Sequence, residues 1–177
     1  MPSSGGLAIV IAFSVATLVF MPMIVQATFH GKGYFDYIWP VVLGGGIIAL
    51  TGLIDDVKEL KPLAKMSGIV LAASLIWLLT DFRLNHFKIP FGGPLLHFAP
   101  WLSFILTVIW IISITNAVNL IDGLDGLVSG VSIISLVTMG IVSYFFLPDH
   151  NVFLTLTIFV LVMSIAGFFP YNYHPAI

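Results

Sequence analysis

The chain has 177 residues, 59% of them hydrophobic and 8% charged, with a mean hydropathy of +1.13. A soluble domain carries roughly 25% charged residues, so this is the composition of an integral membrane protein. A formal net charge of −2 and a pI near 6.1 leave no basic surface for nucleic acid, and the lack of any cysteine excludes disulfide frameworks and thiolate metal sites.

Six apolar runs approach the ~20 residues needed to cross the hydrocarbon core. Together they predict an all-α, polytopic transmembrane helix bundle, a single membrane domain over residues 1–177. The first run, 7–27, contains Pro22, tolerable as a kink. The preceding MPSSGG lacks the basic side chain of a signal peptide, so the run is expected to be a retained span. The second, 37–54, carries Gly44, Gly45 and Gly46, suited to close helix packing. The third, 63–80, begins with Lys65, whose long stem lets its charge snorkel to the interface. Between the third and fourth runs, short stretches flanking Gly92, Gly93 and Pro94 predict a small β-hairpin. The fourth, 98–115, opens with Trp101; the fifth covers 127–147; the sixth, 152–169, is followed at once by Pro170.

Counting crossings puts the N-terminal tail, the loop after the second span, the loop after the fourth and the C-terminal tail on one face. Every chemistry-bearing cluster falls there: Asp55 and Asp56, then Asn116, Asn119, Asp122 and Asp125, then Asn172 and His174. Carboxylates are costly in hydrocarbon and mark function when they occur at a membrane. The positive-inside rule does not orient this face, because Lys58, Lys61 and Lys65 on it balance Lys32, Arg83 and Lys88 on the other.

Adjacent carboxylates at a span end repel one another unless a cation holds them. A hard divalent ion such as magnesium, which takes one or two carboxylates plus phosphate oxygens, suits Asp55 and Asp56. The plainer alternative is an interfacial helix end whose aspartates pair with Lys58 and Lys61. The second cluster recurs every third residue, and on an α-helix each step rotates by about 60°, so the row converges only if the helix breaks. Gly123 and Gly126 provide that break and allow close backbone approach to a ligand. The alternative here is a capped helix junction, with Asp122 or Asp125 as the cap of the fifth span. Asp55, Asp56, Glu59, Asp122 and Asp125 outnumber the three lysines of the same face, so a phosphorylated substrate would need a divalent cation to bridge it to the carboxylates.

GLIDD with its lysine-bearing loop, ITNAVNLIDGLDGL and FFPYNYHPA closely resemble the polyprenyl-phosphate N-acetylhexosamine-1-phosphate transferases, glycosyltransferase family 4. The branch most similar is that of the undecaprenyl-phosphate N-acetylglucosamine-1-phosphate transferases of the teichoic-acid and common-antigen type. The superfamily also starts O-antigen and includes the phospho-muramoyl-pentapeptide transferase of peptidoglycan synthesis. The resemblance implies transfer of a sugar 1-phosphate from a UDP-sugar to undecaprenyl phosphate, with release of UMP, at the cytoplasmic face of a bacterial plasma membrane. It implies magnesium, with manganese as a substitute. It leaves the oligomeric state open, a homo-oligomer included. On the same ground Asp55 and Asp56 match the essential aspartate pair near the lipid phosphate and metal, with Asp55 the residue that deprotonates the lipid phosphate. Asn119, Asp122 and Asp125 match positions lining the nucleotide-sugar site, joined by Asn116. Lys65 matches a lysine near the lipid phosphate, and Asn172 and His174 stand in the segment leading to the metal site.

Members of that family carry more spans than are counted here, and a Gly-Asp motif supplying a further metal ligand is expected beyond Ile177. The chain is therefore expected to be an internal fragment. Two other readings are an inactive membrane fragment serving as an assembly partner and a cation-coupled transporter. The latter should hold its carboxylates near mid-span at broken helices.

Overall fold

The structure, a computed structural model, describes residues 5–25, 33–58, 60–121, 126–146 and 152–172. The elements are α1 (Gly5–Val15), a π-helical stretch (Ala16–Phe20), α2 (Met21–Ile24), α3 (Tyr34–Lys58), α4 (Pro62–Leu79), β1 (His86–Lys88), β2 (Leu95–His97), α5 (Pro100–Ile121), α6 (Leu127–Phe145) and α7 (Val152–Asn172). Among the described residues, six helical segments are long and apolar enough to cross a membrane, the first of them running unbroken in hydropathy from Gly5 to Met23. The architecture is all-α and polytopic, as the composition predicts, and many of its large exposed side chains, such as Leu50, Leu78, Ile134 and Met163, are apolar. The expected hairpin is present, with His86, Phe87 and Lys88 opposite His97, Leu96 and Leu95.

Several helices run past the expected boundaries, α3 covering Tyr34–Lys58 and α5 reaching Ile121. α7 continues through Pro170 to Asn172 rather than stopping before it. Only two residues follow the proline, so little of the helix ladder is lost, and membrane helices tolerate such breaks. α3 likewise starts at Tyr34 and passes through Pro40, which is fully buried. Pro22 lies in the first turn of α2, where its missing N–H matters least. The turn before it widens so that the Met21 N–H reaches the Ala16 carbonyl, a π-type bond.

The chain divides into two compact units, Met1–Val42 with Val118–Ile177, and Leu43–Ala117. In the first, Tyr34, Ile38 and Phe153 form a buried cluster. The Tyr34 and Phe153 rings meet edge-on at 5.4 Å, and the Tyr34 hydroxyl lies 3.0 Å from Thr157 Oγ1. α6 and α7 are joined by a buried hydroxyl pair, Ser143 and Thr155, 3.0 Å apart. With lipid on one side and no water to compete, such polar contacts contribute about 0.6 kcal/mol on average between membrane helices.

In the second unit α3 and α4 run antiparallel, which places Gly44 against Ile76 and Gly68 against Thr51. Of the three consecutive glycines, Gly44 serves the expected close packing, while among the described residues nothing lies within 4 Å of a Cβ built on Gly45 or Gly46. At the far end of α4, Trp77 Nε1 donates to Ser103 Oγ at 3.2 Å, and Ser103 Oγ donates to Asn85 Oδ1 at 3.0 Å. The Leu84 N–H donates to Thr107 Oγ1 at 3.1 Å, and the Arg83 guanidinium lies 4.7 Å over the Trp77 ring. Ser103 and Thr107 are buried, so this corner is closed by neutral hydrogen bonds and one cation–π contact.

Candidate active site

Asp55 stands one turn before the end of α3, where its charge opposes the negative C-terminal end of the helix dipole. Its compensation comes from the turn that follows. Its Oδ1 accepts the Leu60 N–H at 3.0 Å and its Oδ2 accepts Lys65 Nζ at 2.9 Å. Lys61 adopts an extended conformation that ends the turn, and Pro62 opens α4 at a position whose N–H would have no helical partner. Lys65 therefore rises from the first turn of α4 directly onto Asp55, and both side chains remain partly exposed. The ion pair of Asp55 is with Lys65, not with Lys58 or Lys61, both of which are exposed. Asp56, rotated about 100° around the helix from Asp55, is exposed and has no hydrogen bond or ion pair among the described residues.

The close approach of α3 and α4 sets this pairing. A Cβ on Gly68, three residues beyond Lys65, would collide with Thr51 Oγ1. Thr51 cannot readily yield, because its hydroxyl donates to the Ile47 carbonyl at 2.8 Å. Glycine at 68 thus lets the helices touch one turn from the ion pair.

The polar row after the fourth span is divided by the structure. α5 extends to Ile121, beyond the expected end at 115, so Asn116 and Asn119 lie in its last two turns, the first partly buried and the second exposed. The expected break follows: Gly126 takes a left-handed conformation, φ 74°, and α6 starts at Leu127. Gly126 itself is the N-cap and has no side chain to cap with. Asp122, Gly123 and Asp125 lie outside the described residues, as does His174.

Asn172 closes the other side of this corner. Its Nδ2 donates to the buried Ser129 Oγ at 3.0 Å, joining the last residue of α7 to the first turn of α6. The end of the third cluster is thereby brought to the segment that leaves the second. Asp55 with Lys65 belongs to one compact unit and Asn172 with Ser129 to the other. Ser129 was not a candidate from sequence; its position just past the NLIDGLDG run is the only sequence signal that points to it. The Leu60 N–H carries no signal at all, since any residue but proline supplies one.

Apolar helices that end in a carboxylate, a lysine and side-chain amides define a multi-pass membrane protein with its polar chemistry at helix ends. The family model described as glycosyl transferase family 4 matches residues 38–177, and the chain belongs to that family. It is accordingly a glycosyl-phosphate transferase acting on a polyprenyl phosphate. No match is found among the curated proteins or among the solved structures.

Proposed function

We propose that the protein transfers N-acetylglucosamine 1-phosphate from its UDP-sugar to undecaprenyl phosphate, releasing UMP, at the cytoplasmic face of a bacterial plasma membrane and with magnesium. The observation that carries this reading is the unequal state of the aspartate pair. Asp55 has both oxygens engaged, by Lys65 and the Leu60 N–H, while Asp56 is exposed and unpartnered among the described residues. The arrangement pre-places a cation and leaves one carboxylate available for a ligand.

Magnesium fits this donor set, because it is held by one or two carboxylates and completes its shell with phosphate oxygens and water. Among the described residues no group of three or more His, Asp or Glu gathers, so substrate oxygens would have to supply much of that shell. Asp56, with Asp55 beside it, would hold the ion, which when bound would neutralise charge on the pyrophosphate. The chain's own groups do the rest. Lys65 meets the incoming lipid phosphate by exchanging one carboxylate oxygen of Asp55 for a phosphate oxygen. Asp55, released from Lys65, accepts the remaining proton of the lipid phosphate. A lipid phosphate oxygen then attacks the sugar-bearing phosphorus, the bond from that phosphorus to the UMP oxygen breaks, and UMP leaves. On the family resemblance, Asn116, Asn119, Asp122 and Asp125 would serve the nucleotide sugar, and Asn172 and His174 would bind substrate as well. Positioning and charge neutralisation dominate phosphoryl transfer, so no covalent group is required. The aspartates stand in the last turn of α3 rather than at mid-helix, which removes the feature a transporter would need.

Membranes containing the protein should release UMP from UDP-N-acetylglucosamine only when undecaprenyl phosphate and magnesium are both supplied. Absence of that release would overturn the reaction, and normal turnover in Asp122→Asn would overturn the site.

A further inference from the structure

Among the described residues no other layer packs on the hairpin β1–β2, and all six of its strand residues are exposed. A two-stranded hairpin in water is marginal at best and needs a covered apolar face. The register sorts its side chains. Phe87 lies opposite Leu96, and the Ile89 N–H donates to the Pro94 carbonyl at 3.2 Å, which extends the ladder by one step. Side chains two apart share a face, so Phe87, Ile89, Pro94 and Leu96 make one wholly apolar face. The opposite face carries His86, Lys88 and His97 with Leu95, and the two imidazole rings are 6.2 Å apart.

The tip adds a second observation. Phe91 is fully exposed, at 107% of its reference area, and holds φ at 60°. That region is unfavourable for a bulky residue and is normally given to glycine. The neighbouring Gly92, at φ 84°, shows that the turn already has its glycine. An aromatic side chain is thus held out at a turn position whose positive φ makes it costly.

The base of the hairpin is fixed at the membrane boundary. β1 begins seven residues after the end of α4, and β2 ends three residues before α5. The intervening segment is bonded to α5, the Leu84 N–H to Thr107 Oγ1 and the Asn85 side chain to Ser103 Oγ, and it is closed on itself by the Phe98 N–H on the Asn85 carbonyl at 2.9 Å. Trp77 and the exposed Trp101 stand at the same level, where aromatic residues gather at a bilayer surface. So short a tether keeps the base of the hairpin at the interface.

We propose that β1–β2 is a lipid-surface anchor. Its Phe87, Ile89, Pro94 and Leu96 face, with Phe91 at the tip, lies in the boundary between headgroups and acyl chains on the side of the membrane away from Asp55. Lys88 and the histidines of the other face meet headgroups and water, and Arg83, stacked on Trp77, marks the same level. The occupant is the bilayer the chain already spans. Burial of the apolar face in that boundary follows the physics of an interfacial amphipathic segment.

Residues 1–177 hold no cysteine, so single cysteines can be introduced for nitroxide labelling of the full chain in liposomes. Labels at Phe87→Cys, Phe91→Cys and Leu96→Cys should collide severalfold less with a water-soluble nickel chelate than a label at Lys88→Cys, and more with lipid-dissolved oxygen. Equal nickel access at all four positions would overturn the anchor by placing the hairpin in water. Protection of 87, 91 and 96 from both reagents would overturn it in favour of a protein surface, such as a second copy of the chain. The four labels report on one hairpin, so a variant that fails to fold is recognised by loss of its contrast with the others.

Discussion

The two ends of α4 are closed by different chemistry. At its start a single charged bond, Lys65 to Asp55, lies partly open to solvent. At its end a chain of neutral bonds through Trp77, Ser103 and Asn85 is anchored on a buried hydroxyl. Neutral bonds shielded from water have nothing to exchange with, so they fix geometry. An exposed ion pair contributes little to stability but can trade its partner for a better anion. On the proposed function, a phosphate would intervene at the start of α4, where Lys65 has an exchangeable counter-ion.

Four substitutions and one control break or sharpen this contrast. The largest effect is expected from Asp56→Asn, which removes the unpartnered carboxylate: turnover should fall on the order of 10² to 10³-fold, as for loss of a single electrostatic contact in a transition state. The melting temperature should hold steady, and an equal loss of thermal stability would make Asp56 a structural residue. Lys65→Gln comes next. It should lower kcat/KM for undecaprenyl phosphate on the order of tenfold to a hundredfold, the range for a lost hydrogen bond to a charged group, with the KM for the UDP-sugar nearly unchanged. Gly68→Ala forces a methyl group against Thr51 and should cost about 1–3 kcal/mol of stability by overpacking. The control Gly52→Ala, with nothing within 4 Å, should be neutral or mildly stabilising in chemical denaturation. Ser103→Ala is the mirror of the lysine change: it should lower stability by about 1–2 kcal/mol and leave kcat/KM within a few-fold of the parent. A large loss of activity in Ser103→Ala with intact folding would erase the distinction between the two ends.

Much of the fold was legible because its signals are long. Six apolar runs and a Gly-Gly-Pro turn need only composition and spacing, and helices and hairpin formed where those signals lie. What escaped were contacts that depend on how the chain folds back. The partner of Asp55 lies ten residues on, after a turn, whereas Lys58 and Lys61 are nearer in sequence and are exposed. Asn172 and Ser129 are 43 residues apart, and hydroxyls inside apolar helices follow no period that could link them. Pro170 misled at the end of α7. In water Pro170 would end a helix, but hydrocarbon removes the alternative of solvated backbone, so the helix persists. Of the candidate site residues, Asp55 at the end of one span and Lys65 at the start of the next were expected from the sequence, whereas the ion pair between them was not.

The widened turn at Ala16–Phe20 sets how tolerant this chain is of insertions and deletions. Phe13 and Leu18 both pack on the Tyr34, Ile38 and Phe153 cluster, yet they are five residues apart, a spacing that an α-helix would rotate by about 140°. One surplus residue absorbed by the π-helical bonds keeps them on the same side. Removing the exposed Val15 would bring the two to the ordinary spacing of four and let the segment relax to an unbroken α-helix with the same contacts. Related chains differing by a single-residue gap at this place would share one core, and an alignment that forced their residues into column without the gap would misassign every lipid-facing position upstream of it.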